Sequence, residues 1–365
     1  MDLHGQVHNM FLALRELLKE KARFVLIGFV IVLVSYLVFF LTALAYGLAT
    51  SYTQGIDKWG ASGIIMEESA NDTLARSLLD EKDYKNLIGD DATVLGVATS
   101  TVEAEQAEDV AIFGIETDEF LLPNITEGRP IAKPTEIVVA DELQDIGIEL
   151  EQEISFKGSE LRYTVVGFTD RATYQTSPII YMDVAQWRDL ASEIAGMSGM
   201  RDLTTVNGIV TKEGFDTTKL QGTSLVWQTI DDYSTGLPGY SAQVLTFSTM
   251  IGFLIAIASF VLAIFMYILT LQKKSIFGVL KAEGVPSSYI ARSVVIQTIL
   301  LLVSGMAIGM TLTLLSGTFL SSVMPFLVQP WFFAAIVGLF LLCAILGAIA
   351  SVRAVTKIDP VEAIG

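Results

Sequence analysis

The chain has 365 residues, 52% of them hydrophobic, a mean hydropathy of +0.55 and a formal net charge of −17. So apolar a composition excludes an ordinary soluble domain and directs attention to membrane spans. So acidic a total argues against nucleic acid as a partner and against direct docking on anionic lipid.

Residues 1–23 open the chain with "HNMFLALRELLKEKARF", where Met10, Leu12, Leu14, Leu17 and Leu18 alternate with charges. The pattern predicts an amphipathic helix along the inner membrane surface. Residues 24–50 form an uncharged run too long for a signal-peptide core and without a small-residue cleavage site, so it reads as a retained first span. Three further uncharged runs, 244–271, 294–316 and 331–352, each exceed the roughly 18–20 apolar residues that cross a bilayer. Between them lie a large segment (51–243), a charged connection (272–293), a short link (317–330) and a tail (353–365). The predicted fold is a membrane protein of four transmembrane α-helices with one large extracytoplasmic α+β domain between the first two.

The side of each segment follows from lysine and arginine. The N-terminal segment, residues 271–293 and the tail hold Arg15, Lys19, Lys21, Arg23, Lys273, Lys274, Lys281, Arg292, Arg353 and Lys357, whereas the link "GTFLSSVMPFLVQP" holds none. The positive-inside rule then predicts both termini in the cytoplasm and 51–243 outside a cell membrane. That outer segment has 34 acidic and 13 basic residues, so it carries all of the negative excess. Its charge reads as a solvated surface. The one cysteine, Cys343, lies in the fourth span, so no intrachain disulfide is available.

Within 51–243 the stretches "ATVLGVATSTV", "VAIFGI", "TEIVVA", "EISFKG", "RYTVVGFT" and "SPIIYMD" predict strands, clustered between 92 and 182. "SLLDEKDYKNLI", "DELQDI" and "VAQWRDLASEIAG" predict helices. Small and polar residues at helical spacing, Gly28, Ser35, Phe39, Thr42 and Tyr46 in the first span and Ser248, Gly252, Ser259 and Ala263 in the second, suit close helix contact within one subunit or between two. Four spans are few to enclose a path, so a homodimer is expected.

Several chemistries are missing. There is no phosphate-binding loop and no Cys/His cluster with metal-ligand spacing, and both histidines (His4, His8) are N-terminal. The spans hold no Asp, Glu, Lys or Arg, which argues against an ion-coupled transporter. No intrinsic cofactor, structural metal or catalytic residue is expected, and energy for any transport must come from a partner.

The charged connection then stands out. In "KSIFGVLKAEGVP" the residues Ile276, Phe277, Leu280 and Val285 interleave with Lys281 and Glu283. Gly284 can end a helix in the left-handed conformation and Pro286 prevents its continuation. A short helix, a stop and a new helix into the third span are predicted. "SIFGVLKAEGVPSSYI" resembles the cytoplasmic segment of MacB/FtsX-type (type VII) ABC-transporter permeases, "KIDPVEAIG" resembles their closing motif, and 135–170 is similar to their extracytoplasmic domain. Phe277 and Glu283 depart from the residues usual in that segment. The resemblance implies a permease without ATPase activity of its own. Phe277, Gly278, Leu280, Lys281, Glu283 and Gly284 would dock on a separate ABC ATPase that binds ATP and Mg, with two permeases pairing with two ATPases.

Within that superfamily "ALRELLKEKARFVLIGFVIVLVS", "LTALAYGLA", "MYILTLQK" before the connection and the closing "DPVEAIG" resemble the haem-efflux permeases of Gram-positive bacteria, which implies haem as the transported ligand. Haem needs an apolar slot and axial ligands of the His, Cys, Met or Tyr type. The candidates are Tyr240, Tyr174, Tyr46 and Met250 as ligands, with Phe39, Phe40 and Phe247 against the ring. Interfacial anchoring of the tyrosines is the competing reading. Lipoprotein release, antimicrobial-peptide resistance and an FtsX-like mechanotransmitter without a substrate remain open as alternatives, with a membrane hydrolase more remote.

Overall fold

The computed structural model describes residues 21–104, 106–195, 204–272, 274–320 and 324–356. Most of the predicted N-terminal amphipathic helix and all of "KIDPVEAIG" lie outside the described residues. The α-helices are α1 (Lys21–Ser51), α2 (Gln54–Asp57), α3 (Glu81–Tyr84), α4 (Val184–Ile194), α5 (Ile230–Gly236), α6 (Tyr240–Gln272), α7 (Lys274–Ala282), α8 (Ser287–Leu320) and α9 (Pro330–Thr356). The strands are β1 (Gly63–Glu67), β2 (Ala92–Glu103), β3 (Ala107–Ile115), β4 (Glu127–Gly128), β5 (Glu136–Ala140), β6 (Glu153–Ser155), β7 (Arg162–Thr169), β8 (Thr173–Tyr174), β9 (Ser177–Asp183), β10 (Gly208–Thr211) and β11 (Leu225–Thr229). The chain divides into two compact units, Met1–Gly47 with Leu245–Gly365, and Leu48–Val244.

In the first unit α1, α6, α8 and α9 each contain a stretch long and apolar enough to cross a membrane. In hydrocarbon apolar burial gives helices no reason to associate, so close van der Waals approach must do so. Gly305 and Gly309, one turn apart on α8, provide it. A Cβ at Gly305 would lie 2.5 Å from Ile31 Cγ2, and one at Gly309 would lie 2.9 Å from both Ser35 Cβ and Tyr36 N. Ser35, Phe39 and Thr42 on the predicted α1 face are buried, whereas Gly28 has open space beside it. On α9, Gly347 approaches Ala263 of α6, where an added Cβ would lie 3.1 Å from the alanine's own.

Several hydroxyls in this bundle return to helix carbonyls or to one another, which suits a lipid surrounding, whereas the buried Ser35 hydroxyl has no hydrogen-bond partner among the described residues. Thr42, Thr298 and Thr313 donate to the carbonyls of Val38, Val294 and Gly309 at 2.7, 2.8 and 3.0 Å. The hydroxyls of Tyr36 and Ser316 meet across α1 and α8 at 3.0 Å. Gly309→Leu is expected to overpack the α1–α8 contact and cost about 1–3 kcal/mol. A thermal melt of the detergent-solubilised protein reads this, and an unchanged melting temperature would show that the close approach contributes nothing.

The second unit is one mixed sheet in the order β11-β1-β10-β2-β3-β9-β5-β7-β4, with β6 also on β7 and β8 on β9. The pairs β3–β9 and β5–β7 are parallel. Its central strands are apolar on both faces, so two cores form. Val110 and Ile112 of β3 and Ile180 and Met182 of β9 enter one core with Trp187 of α4. Ala111, Phe113, Ile179 and Tyr181 enter the other with Ile56, Trp59 and Tyr233. Trp187 covers Gly96 and Gly114, where a Cβ would run into the indole.

Two predicted helices change here. "SLLDEKDYKNLI" is helical only over Glu81–Tyr84, because Leu79 exchanges backbone hydrogen bonds with Val206 at 2.8 and 3.1 Å and is drawn to the sheet. "DELQDI" is a 3₁₀ turn ended by Gly147 at φ 85°. Strands β1, β10 and β11 lie outside the predicted 92–182 cluster. Each is only four or five residues long, too short for an alternation pattern to identify.

At the β5 margin the buried Glu136 carboxylate accepts from Arg129 Nη1 and Nη2 at 2.7 and 2.8 Å and from the Ala132 and Lys133 amides at 2.9 and 3.1 Å. The Arg129 hydrogen bond, with the two amides, holds its pKa at about 2 against an ordinary 4.5. A depressed carboxyl contributes stability that is present above 4.5 and lost as the pH falls toward 2. Glu136→Gln is therefore expected to be less stable than the wild type at pH 7. The gap in chemical denaturation midpoint should close between pH 4.5 and about 2, and a gap independent of pH would exclude this linkage.

Candidate functional site

The connection between α6 and α8 forms the predicted elbow. The helix α7 occupies Lys274–Ala282 and its last turn closes with Glu283 N donating to Val279 O at 3.0 Å. Gly284 then takes φ 88°, the left-handed conformation that a side chain resists, and α8 starts just past Pro286. Tyr289 N donates to Pro286 O at 2.9 Å and so closes the first turn of α8.

One residue anchors this elbow. Phe277 is buried in the cluster that holds Ile27, Val294 and Leu301, and Val285 packs on the same cluster. Three residues apart on α7, Ile276 and Val279 are each 49% exposed, and Glu283 is exposed beside them. Gly278 is buried beside Phe277. A short helix held by one phenylalanine, with two aliphatic side chains exposed, can act as a docking knob. The side chains of Leu280 and Lys281 lie outside the described residues.

The ligand candidates are divided by the fold. Tyr174 lies in the core of the second unit, 4% exposed, with its hydroxyl 2.7 Å from that of Tyr233 and its ring edge-on to Phe113. Burial pushes its pKa up to about 12, which opposes the phenolate that an iron ligand needs. Tyr174 is part of the second unit's core. Tyr233, equally enclosed, is also raised by burial. Tyr174→Phe should leave the buried Tyr233 hydroxyl short of a partner and cost about 1–3 kcal/mol. Chemical denaturation measures this cost, and full stability would mean the pair is dispensable.

In the first unit Phe39 is buried against Phe333 with ring centres 5.0 Å apart, and Phe40 faces Phe326 at 5.5 Å. Tyr46 packs at a tilt against Phe332 with ring centres 5.3 Å apart and accepts from Gln329 Nε2 at 3.4 Å. These contacts tie the α8–α9 link to α1, where Leu327 N also reaches Ala43 O at 3.3 Å. Gly47 leaves room there for the Pro325 backbone.

The remaining candidates all lie on α6. Tyr240 is its first residue and packs at a tilt against Tyr52 with ring centres 5.8 Å apart. Phe247 is half-buried and Met250 exposed, the latter in a shallow open groove with Thr246, Thr249 and Phe253. The helix is mostly uncovered: Leu245, Phe253 and Phe260 are among its exposed side chains. The Gly305/Gly309 contact escaped the sequence reading, although Gly-x-x-x-Gly in an apolar run is a recognised close-packing pattern.

Four membrane-length helices, a sheet-rich domain between the first two and an anchored elbow between the second and third are the parts of a membrane permease. Residues 248–360 match the family described as FtsX-like permease C-terminal. It is 26% identical over 359 residues to a protein of Staphylococcus haemolyticus (strain JCSC1435) named as the hemin transport system permease protein HrtB, covering 98% of this chain and 99% of that one. The same identity and coverage hold for a protein of that name from Staphylococcus epidermidis (strain ATCC 35984). The crystal structure of the extracellular domain of the noncanonic ABC-type transporter YknZ from Gram-positive bacteria aligns with 46% of this chain and 98% of its own, at 14% identity and a TM-score of 0.31.

Proposed function

We propose that this permease component of an ABC-type transporter exports haem, or an amphiphile of similar shape, driven by ATP hydrolysis on a separate subunit. The observation that carries the reading is the elbow. Ile276 and Val279 are exposed on a helix that Phe277 anchors to the bundle, on the side rich in lysine and arginine. An apolar knob of this kind suits a cleft on a cytoplasmic ATPase, and the positive-inside rule orients it so, with 51–243 outside. The pumping unit is two permeases with two ATPases, because four spans do not enclose a path.

Haem as cargo is supported by the full-length similarity to permeases named for hemin transport. The residues compatible with it are Tyr240 as ligand, Met250 as a thioether alternative and Phe247 as ring contact, all on α6. The burial of Phe39 and Tyr174 and the packing of Tyr46 against Phe332 turn those three toward structural roles.

Two measurements test the reading. Ile276→Asp combined with Val279→Asp should lower co-purification of the ATPase about tenfold or more, the effect of losing one good apolar anchor. Helical circular dichroism should be unchanged, and undiminished co-purification would reject the docking role. In an absorption titration of the detergent-solubilised permease with haemin, a saturable Soret shift is expected, altered by Tyr240→Phe and unaltered by Tyr46→Phe. A shift no larger than that of detergent alone removes haem as cargo and returns lipoprotein release or peptide resistance as the reading.

A further inference from the structure

The C-terminal end of α1 is gripped in an unusual way. A helix leaves its last four carbonyls without intrahelical partners. Three of those on α1 are met locally: Leu48 O accepts from Ser51 Oγ at 2.9 Å, Ala49 O from Tyr52 N at 3.4 Å and Thr50 O from Thr53 N at 3.0 Å. The fourth is met from over 120 residues away. Ser51 O accepts from Thr173 Oγ1 at 2.7 Å and from Thr176 N at 3.2 Å, and the next carbonyl, Tyr52 O, accepts from Gln175 N at 3.1 Å.

Gln175 and Thr176 are the two central residues of the tight turn between β8 and β9, where Tyr174 pairs with Ser177. Both have positive φ, 50° and 72°. Turns of that kind normally use Asn-Gly or Asp-Gly, and a β-branched threonine there is strained. Strain persists only where surrounding contacts over-determine it. Here the amides of the two strained residues are the ones given to the helix end. A second row of contacts supports them: Thr173 Oγ1 lies 3.0 Å from Gln54 Oε1, and Lys58 Nζ donates to Thr169 Oγ1 at 2.8 Å and Asp170 Oδ1 at 3.0 Å.

The entry to α6 is built differently. Leu237, Pro238 and Gly239 form a short turn with Gly239 at φ 85°, closed by Tyr240 N donating to Leu237 O at 3.1 Å. A glycine takes that conformation without strain.

We propose that the β8–β9 hairpin tip is a strained clasp on the C-terminal end of α1, which lets go at Gln175–Thr176 before the sheet opens when that helix end is displaced. The strain lowers the cost of release, while the hydrogen bonds to Ser51 and Tyr52 keep the tip closed at rest. Because β8 pairs only with β9, release leaves the rest of the ladder intact. The clasp makes α1 the gripped input to the sheet and leaves α6 on a relaxed turn.

Hydrogen exchange on the full-length permease in detergent micelles tests this without any substrate, so its outcome is independent of the haem reading. In the wild type the Gln175 and Thr176 amides should exchange more slowly than a free chain but faster than those of Ile179–Met182. Thr173→Val removes the hydroxyl grip and should speed exchange at 175 and 176 about tenfold, leaving Ile112–Ile115 unchanged. Thr176→Gly removes the strain, keeps the amide, and should slow them. Exchange at the free-chain rate in the wild type, or at the β9 rate in all three proteins, would overturn the clasp. Faster exchange in Thr176→Gly would overturn the strain.

Discussion

A backbone N–H or C=O left unsatisfied in hydrocarbon costs several kcal/mol, and the rest of this structure depends on that constraint. It makes every crossing segment a helix and returns hydroxyls such as those of Thr298 and Thr313 to their own helices. It also removes the hydrophobic effect as a cause of helix association. The bundle therefore relies on shape: Gly305 and Gly309 admit α1 to backbone distance, and Gly347 brings α9 close to α6. Where no such glycine intervenes, as along most of α6, the helix stays uncovered.

In the second unit water is the solvent and apolar burial resumes its role. Alternation along β3, β5 and β9 puts aliphatic side chains on both faces, so a sheet of mixed direction is covered on both sides. Some buried polar groups are paired, as Glu136 is with Arg129 and Tyr174 with Tyr233. The hydroxyls of Tyr163 and Tyr181 and the indole N–H groups of Trp59 and Trp187 are instead buried by the bulk of their rings, without a hydrogen-bond partner among the described residues. The acidic excess stays at the surface, consistent with solubility. The two solvents thus produce two kinds of core in one chain, and the elements that join them, the end of α1 and the start of α6, are built on different principles. One is stitched by a strained turn and a lysine, the other turns on an unstrained glycine.

Much of this was legible from the sequence. Four uncharged runs exceed the bilayer thickness, and hydropathy is a sum over local residues that needs no partner. The elbow was legible too, since an amphipathic nonamer followed by Gly284 and Pro286 encodes helix, stop and restart locally. The six predicted strands appear, marked by runs of β-branched and apolar residues, although "EISFKG" contributes only Glu153–Ser155. The segment around Leu79 was misread because its backbone is claimed by Val206, and no local pattern reveals a partner 127 positions away. The fold buries Tyr174 and leaves Met250 exposed, a difference the sequence does not show for the same reason. A tyrosine near a membrane interface looks alike whether it faces solvent, as a ligand would, or closes a core on Tyr233.

The sequence by itself determined which segments are long and apolar enough to cross a membrane, where the large domain sits between them, and where a short helix stops and restarts in the charged connection. Those follow from properties read within a few residues: hydropathy, charge and the conformational limits of glycine and proline. Only the tertiary structure decided that Gly305 and Gly309 meet Ile31 and Ser35, that Tyr174 is enclosed, and that two strained residues of a hairpin hold the end of the first helix. These are contacts between residues far apart in the chain, set by how whole elements pack, and packing depends on the shapes of both partners at once.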